Sequence, residues 1–217
     1  LGTVLSDHLL TLFLFWELTG LASFLLIGFL HEEKESRIGA RQALLVTGGT
    51  GLALLAGILL LGASAGTYRI SELTGRLDAA ALADPRVVAA LGLILLGAFG
   101  KSAQFPFFFW LPNAMAAPTP VSAYLHSATM VKLGVFLCAR LFSLFSGAEL
   151  WAPALLSVGF LTMLLGSALA LLQTDLKAML AFSTVSQLGF LCGYYGLGAV
   201  TGVRFDFLHI LNHTLYK

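Results

Sequence analysis

From Gln42 to Tyr68 the chain carries no charged side chain, and the same is true from Leu150 to Thr174 and from Ala178 to Val203. About 20 predominantly apolar residues suffice for a helix to cross the hydrocarbon core of a bilayer. Each stretch is long enough and each is bounded by charges. Three more have that length but contain isolated ionisable groups: Leu9 to Leu30 with Glu17, Val87 to Leu111 with Lys101, and Val121 to Phe145 with His126 and Lys132. A seventh starts near Phe205 and carries His209, His213 and Lys217. Backbone polar groups in lipid must be satisfied within the segment, which restricts open spans to helices. The pattern predicts an all-α fold, a polytopic transmembrane helical bundle of about seven spans, with residues 1–217 forming one transmembrane domain.

Composition agrees. Hydrophobic residues make up 58% of the chain and charged residues 11%, against about 25% charged in soluble domains. That excludes a soluble enzyme, a disordered chain, a coiled coil and a basic nucleic-acid-binding domain. The net charge of +1 selects no anionic partner. Cys138 and Cys192 lie inside apolar stretches and read as small buried hydrophobes, not as a disulfide framework. The chain opens on Leu1 without a signal-peptide pattern and stops at Lys217 within an apolar pattern, so a segment of a longer polypeptide is expected. Residues Thr67 to Arg86 alternate charge with Ile70, Leu73, Leu77 and Leu82, which predicts an interfacial helix. Orientation stays open, because Lys34, Arg37, Arg41 and Lys177 balance Arg69, Arg76, Arg86, Arg140 and Arg204.

The informative residues are those a membrane helix should lack. A charge at the bilayer centre costs roughly 2.5–3.5 kcal/mol on insertion scales. Any one of Glu17, Lys101 or Lys132 could be a snorkelling or ion-paired residue, but Glu, Lys and His together at depth mark an ion or proton pathway. Burial and a nearby carboxylate act on a lysine's proton in opposite senses, and a lysine held between them suits a relay. His209, His213 and Lys217 follow i, i+4, i+8 spacing and share a helix face. A metal site is the weaker reading, since His209 and His213 have no third ligand nearby. Pro106, five residues after Lys101, predicts a helix break that frees the Ser102 carbonyl. Broken helices at membrane depth recur at transport sites.

Two motifs fail. Gly100-Lys101-Ser102 resembles the end of a phosphate-binding loop, but the position of its first glycine is Leu95. Thr47-Gly48-Gly49-Thr50-Gly51 reads as close helix packing. Ser183, Thr184, Ser186 and Gln187 read as interhelical glue. No cofactor or metal is expected.

The run GKSAQFPFFFWLPNAMAAPTPVSAYLHSATMVK, Gly100 to Lys132, resembles the proton-conducting antiporter-like membrane subunits of respiratory complex I and of Mrp-type Na+/H+ antiporters. SDHLLTLFLFWELTGLASFLLIGF, TDLKAMLAFSTVSQLGF and HILNHTLYK agree in order and spacing. The resemblance implies an antiporter-like inverted-repeat fold, with residues 1–145 holding most of a first five-helix repeat and 151–217 opening the second. Position by position, it implies that Glu17 tunes Lys101 on the broken helix, that His126 leads inward, and that His209, His213 and Lys217 form a central stripe. It places HEEKESRIGAR and QTDLK on the cytoplasmic side. Lys132 and the glycine-rich VTGGTGL are most similar to the A-type antiporter subunit. Phe108 departs from the relatives' FPFHFWLP, which removes one relay group.

The expected function is proton translocation through Glu17, Lys101, His126, Lys132, His209, His213 and Lys217, with Pro106 at the helix break. The setting is a multisubunit Na+/H+ antiporter in the cell membrane, with other membrane subunits, protons and sodium as partners. The alternatives are a proton-pumping subunit of complex I or a membrane-bound hydrogenase, and a scaffold that moves no ions.

Overall fold

The computed structural model describes residues 1–125, 130–201 and 206–216, and His126 and Lys217 lie outside them. The helices are α1 (Gly2–Leu5), α2 (Leu9–Ile27), α3 (Lys34–Ala65), α4 (Ile70–Leu73), α5 (Ala79–Leu82), α6 (Pro85–Lys101), α7 (Trp110–Asn113), α8 (Thr119–Ala123), α9 (Lys132–Phe145), α10 (Trp151–Leu171), α11 (Leu176–Thr201) and α12 (Asp206–Tyr216). Among the described residues, Leu9–Ile27, Lys34–Ala65, Trp151–Leu171 and Leu176–Gly198 are uninterrupted helices long and apolar enough to cross a membrane. The Val87–Leu111 stretch is interrupted and divides into α6 and α7. Among the described residues, Val121–Phe145 supplies parts of α8 and α9, and Asp206–Tyr216 forms α12.

Polarity does not separate the two faces of α2. Leu9, Leu12, Trp16, Gly20, Ser23 and Ile27 are buried at helical spacing, while Leu14, Leu18, Leu21 and Leu25 are exposed. In lipid an exposed leucine incurs no penalty, so helices associate through fit and close approach. Helix α3 follows the same rule. Thr47, Thr50, Gly51, Leu54, Gly57 and Ile58 face inward, and Leu45, Leu52 and Leu59 face outward. Gly48 and Gly49 have open space beside them, so the packing role expected of the TGGTG run belongs to its threonines and Gly51. Helix α3 lies between α2 and α6, and α6 in turn contacts α9.

Helices α10 and α11 form the most extensive pair. Gly159 approaches the Gly193 backbone, and Gly166 approaches the backbone of Phe182 and Ser186, so the main chains nearly touch. Ser186 and Ser167 hydroxyls bond across this seam at 2.8 Å, as expected of the hydroxyl run. Thr184 instead bonds within its own helix to the Leu180 carbonyl at 2.9 Å.

The expected interfacial helix is absent as a single element. Thr74, Gly75 and Arg76 form a turn, and Asp78 starts a new helix by accepting from the Ala81 amide at 2.8 Å. Ile70 and Leu73 are buried in the bundle instead of meeting lipid headgroups. This loop is tied to the start of α2, where the Ser71 hydroxyl donates to Asp7 at 2.6 Å.

Candidate functional site

Helix α6 stops at Lys101, five residues before the proline that forces the break. Continuing the helix would set the Pro106 ring against the Ser102 carbonyl, and the chain turns before that clash arises. The turn is a Schellman-type cap. The Gln104 amide donates to the Phe99 carbonyl at 2.9 Å and the Ala103 amide to the Gly100 carbonyl at 3.4 Å. Ala103 occupies the left-handed position, φ 49°, where glycine is usual.

Three backbone groups at the break find partners nearby. The Ser102 carbonyl accepts from Gln104 Nε2 at 2.9 Å, and the Gly100 carbonyl accepts from Trp110 Nε1 at 3.0 Å. The Phe105 amide donates to Thr162 Oγ1 of α10 at 2.9 Å. Irregular backbone at membrane depth is tolerated when protein satisfies it in this way. Sequence reasoning missed Gln104, Trp110 and Thr162 as parts of the site. The available signal was an amide, an indole and a hydroxyl in otherwise apolar surroundings.

Lys101 is 1% exposed. Its Nζ donates to the Trp16 carbonyl at 3.0 Å and lies 5.3 Å from the centre of the Trp16 ring. It lies beside Gly20, where an added methyl would stand 3.4 Å from Nζ and 3.8 Å from the Thr47 hydroxyl. Glu17 attracts Lys101 electrostatically from the same helix as Trp16. Its carboxyl fills the space a side chain at Gly51 would need, and its Oε1 is buried without a hydrogen-bond partner. Among the described residues, the ion pairs within 4.0 Å are Arg69–Glu72, Arg76–Glu72 and Arg140–Asp7. Glu17 and Lys101 therefore interact electrostatically without an ion pair inside 4.0 Å.

Ser102 joins this site to α9. Its hydroxyl donates to the Val131 carbonyl at 2.6 Å and accepts from the Val135 amide at 3.1 Å. Gly134 permits the approach, because a side chain there would strike the Ala98 carbonyl and Ser102 Oγ. Lys132, the next residue after Val131, is 8% exposed and reaches α12. Its Nζ donates to the Ile210 carbonyl at 3.3 Å and to the Thr214 hydroxyl. On α12, His213 is buried, and His209 lies against the Phe190 ring at 4.9 Å with its Nε2 unpartnered. The structure thus brings together Glu17 with Lys101, and Lys132 with the α12 histidine stripe. Cys138 and Cys192 are buried free thiols.

At the polar end, a cavity of about 450 Å³ is lined by Glu35, Asn113, Met115, Asp175 and Lys177. Lys177 Nζ donates to the carbonyls of Met115 and Ala117 at 3.4 and 3.3 Å, and a smaller hydroxyl-lined cavity with Ser122 and Thr184 lies against the same lysine.

The family described as "NADH:quinone oxidoreductase/Mrp antiporter, TM" matches residues 6–217. The chain belongs to this family. It is 48% identical over 217 residues to the A/B-type subunit of a probable K(+)/H(+) antiporter of Rhizobium meliloti (strain 1021), covering all of this chain and 22% of that protein. It is 45% identical over 228 residues to the A-type subunit of the Na(+)/H(+) antiporter of Bacillus subtilis (strain 168), covering all of this chain and 28% of that protein. The fold matches a polypeptide of the Mrp complex from Dietzia sp. DQ12-45-1b with a TM-score of 0.91 and 41% identity, over 99% of this chain and 24% of that one. The chain therefore spans about a quarter of the length of these relatives. The fold is that of a membrane-embedded, antiporter-like subunit.

Proposed function

We propose that this chain is the proton-translocating part of an A-type subunit in a multisubunit Na+/H+ antiporter of the plasma membrane. The observation that carries the reading is Lys101, wholly buried where α6 breaks and facing Glu17 without a direct ion pair. A lysine hydrogen-bonded to a neutral carbonyl can give up its proton without breaking a direct ion pair. Protons pass from Lys101 to Lys132 across the Ser102 junction, then to His209 and His213, with Glu17 setting the charge on Lys101. His126 and Lys217 extend the relay by resemblance. Residues 1–145 form most of one five-helix repeat and 151–217 open the next. The remaining subunits of the complex are membrane proteins, and protons and sodium are the transported ions.

A scaffold would pair its buried cations with carboxylates. Lys101 and Lys132 are instead held by carbonyls and a hydroxyl, which supports transport. Names among the relatives specify sodium in one case and potassium in another, so exchange is measured with each cation. Lys101→Ala in the complete complex is expected to abolish cation-linked proton movement in everted vesicles while the subunit still assembles. Wild-type exchange in that variant refutes the relay. Exchange that depends on a quinone or hydrogenase reaction instead assigns the chain to a redox-driven pump of the same family.

A further inference from the structure

Gln104 is 0% exposed and lies at the centre of the break. Its main chain closes the cap of α6 through the Phe99 carbonyl, and its own carbonyl accepts from the Phe107 amide at 2.6 Å. Its side-chain Nε2 donates to the Ser102 carbonyl at 2.9 Å. A carbonyl only accepts, so this bond fixes which end of the carboxamide faces Ser102 and leaves Oε1 directed elsewhere. Oε1 is buried and has no hydrogen-bond partner.

Buried acceptors in folded proteins are met by protein groups or by ordered water. An apolar side chain of similar length would fill the same volume with no acceptor to satisfy. Lys101, three residues earlier in the chain, is engaged with the Trp16 carbonyl, and Lys132, next to the Val131 that Ser102 holds, with the Ile210 carbonyl and Thr214. The hydroxyl of Ser102 is likewise occupied, by the Val131 carbonyl and Val135 amide. Among the described residues, Gln104 Oε1 and Glu17 Oε1 are buried side-chain oxygens without a hydrogen-bond partner, and of the two only Gln104 is tied to Ser102. Its position is set by Ser102, the residue that links the Lys101 helix to the Lys132 helix.

We propose that Gln104 Oε1 anchors a buried water that carries protons between Lys101 and the start of α9. The amide stays neutral. The water takes a proton from the Lys101 ammonium and passes one on toward Lys132, while one of its O–H groups donates to Oε1. Gln104 is thus a positioning residue, and its role rests on the relay reading above.

The test uses the complete antiporter complex in everted vesicles, comparing Gln104→Leu, Gln104→Asn and Lys101→Ala in H2O and D2O. Gln104→Leu is expected to lower maximal exchange at least about tenfold, the scale of one hydrogen bond lost from a reacting group. The half-saturating cation concentration stays unchanged, and the solvent deuterium isotope effect rises as proton transfer becomes limiting. Gln104→Asn keeps the carboxamide but draws its oxygen back by one methylene, giving a partial loss with the same isotope signature. It serves as the deciding variant if the leucine protein does not assemble. Wild-type rate and isotope effect in either assembled variant, with Lys101→Ala inactive, overturn this proposal alone. A lower rate with no change in isotope effect also overturns it, because that reports a structural role. Wild-type exchange in Lys101→Ala overturns the relay itself.

Discussion

Replacing Ser102 by alanine tests the junction between the two lysine-bearing helices. The Val131 carbonyl and Val135 amide are the i, i+4 pair of the first turn of α9, and the Ser102 hydroxyl bonds to both from outside. Each bond contributes about 0.5–1.5 kcal/mol net, so losing both would cost about 1–3 kcal/mol. Part is recovered, because carbonyl and amide can tighten onto each other as in any α-helix. The missing oxygen also leaves a small gap beside Gly134 and the Ala98 carbonyl. The expected cost is therefore about 1–2 kcal/mol, or a factor of about 5–30 in local opening. Hydrogen–deuterium exchange of the peptide spanning residues 131–137 in the purified complex reads it directly. Faster exchange by that factor, with assembly retained, fits the argument. Unchanged protection refutes it, since Ser102 then does not hold the α9 terminus. A loss above about 4 kcal/mol refutes the assumed relaxation, being too large for two neutral hydrogen bonds.

Trp110→Phe removes the indole donor to the buried Gly100 carbonyl and leaves it only the long bond from the Ala103 amide. It should destabilise the protein by about 1–3 kcal/mol, measured as a lower thermal midpoint, while Trp110→Tyr fails to rescue because its hydroxyl lies elsewhere. Gly51→Ala puts a methyl where the Glu17 carboxyl sits. Overpacking of this kind costs about 1–3 kcal/mol, and exchange should fall as the carboxyl is displaced from Lys101; an unchanged pH profile of exchange argues against the pair. Asp7, outside the spans, is held below the usual carboxylate range first by the Ser71 hydroxyl, then by the Ser71 amide and Arg140. A depressed carboxyl stabilises the fold above its ordinary pKa and loses that contribution as pH falls through the folded value. Exchange protection of the Ser71 amide should therefore drop under acid conditions, and in Ser71→Ala the Asp7 titration should move upward, as NMR of a labelled Asp7 would show.

The membrane character and most of the helices were legible in the chain itself, because the length of an apolar run is a local property that the bilayer reads directly. The break was legible for the same reason, since Pro106 forbids the helical bond to the Ser102 carbonyl wherever the segment lies. The inward face of α2 was not legible, because Leu14, Leu18, Leu21 and Leu25 are as apolar as the residues they oppose. The run from Thr67 to Arg86 misled for a related reason, as its alternating pattern suits a bundle-facing loop as well as an interfacial helix.

Glu17, Lys101 and Lys132 could be singled out from sequence because a charge in an apolar run is costly in any arrangement. Their partners could not, since those are mostly backbone carbonyls, which every residue possesses and no sequence distinguishes. The tertiary structure decided that Lys101 rests on the Trp16 carbonyl, that Lys132 reaches across to α12, and that Ser102 joins the two helices. Such contacts depend on which small residues let two backbones approach, and that is a property of paired surfaces rather than of either segment alone.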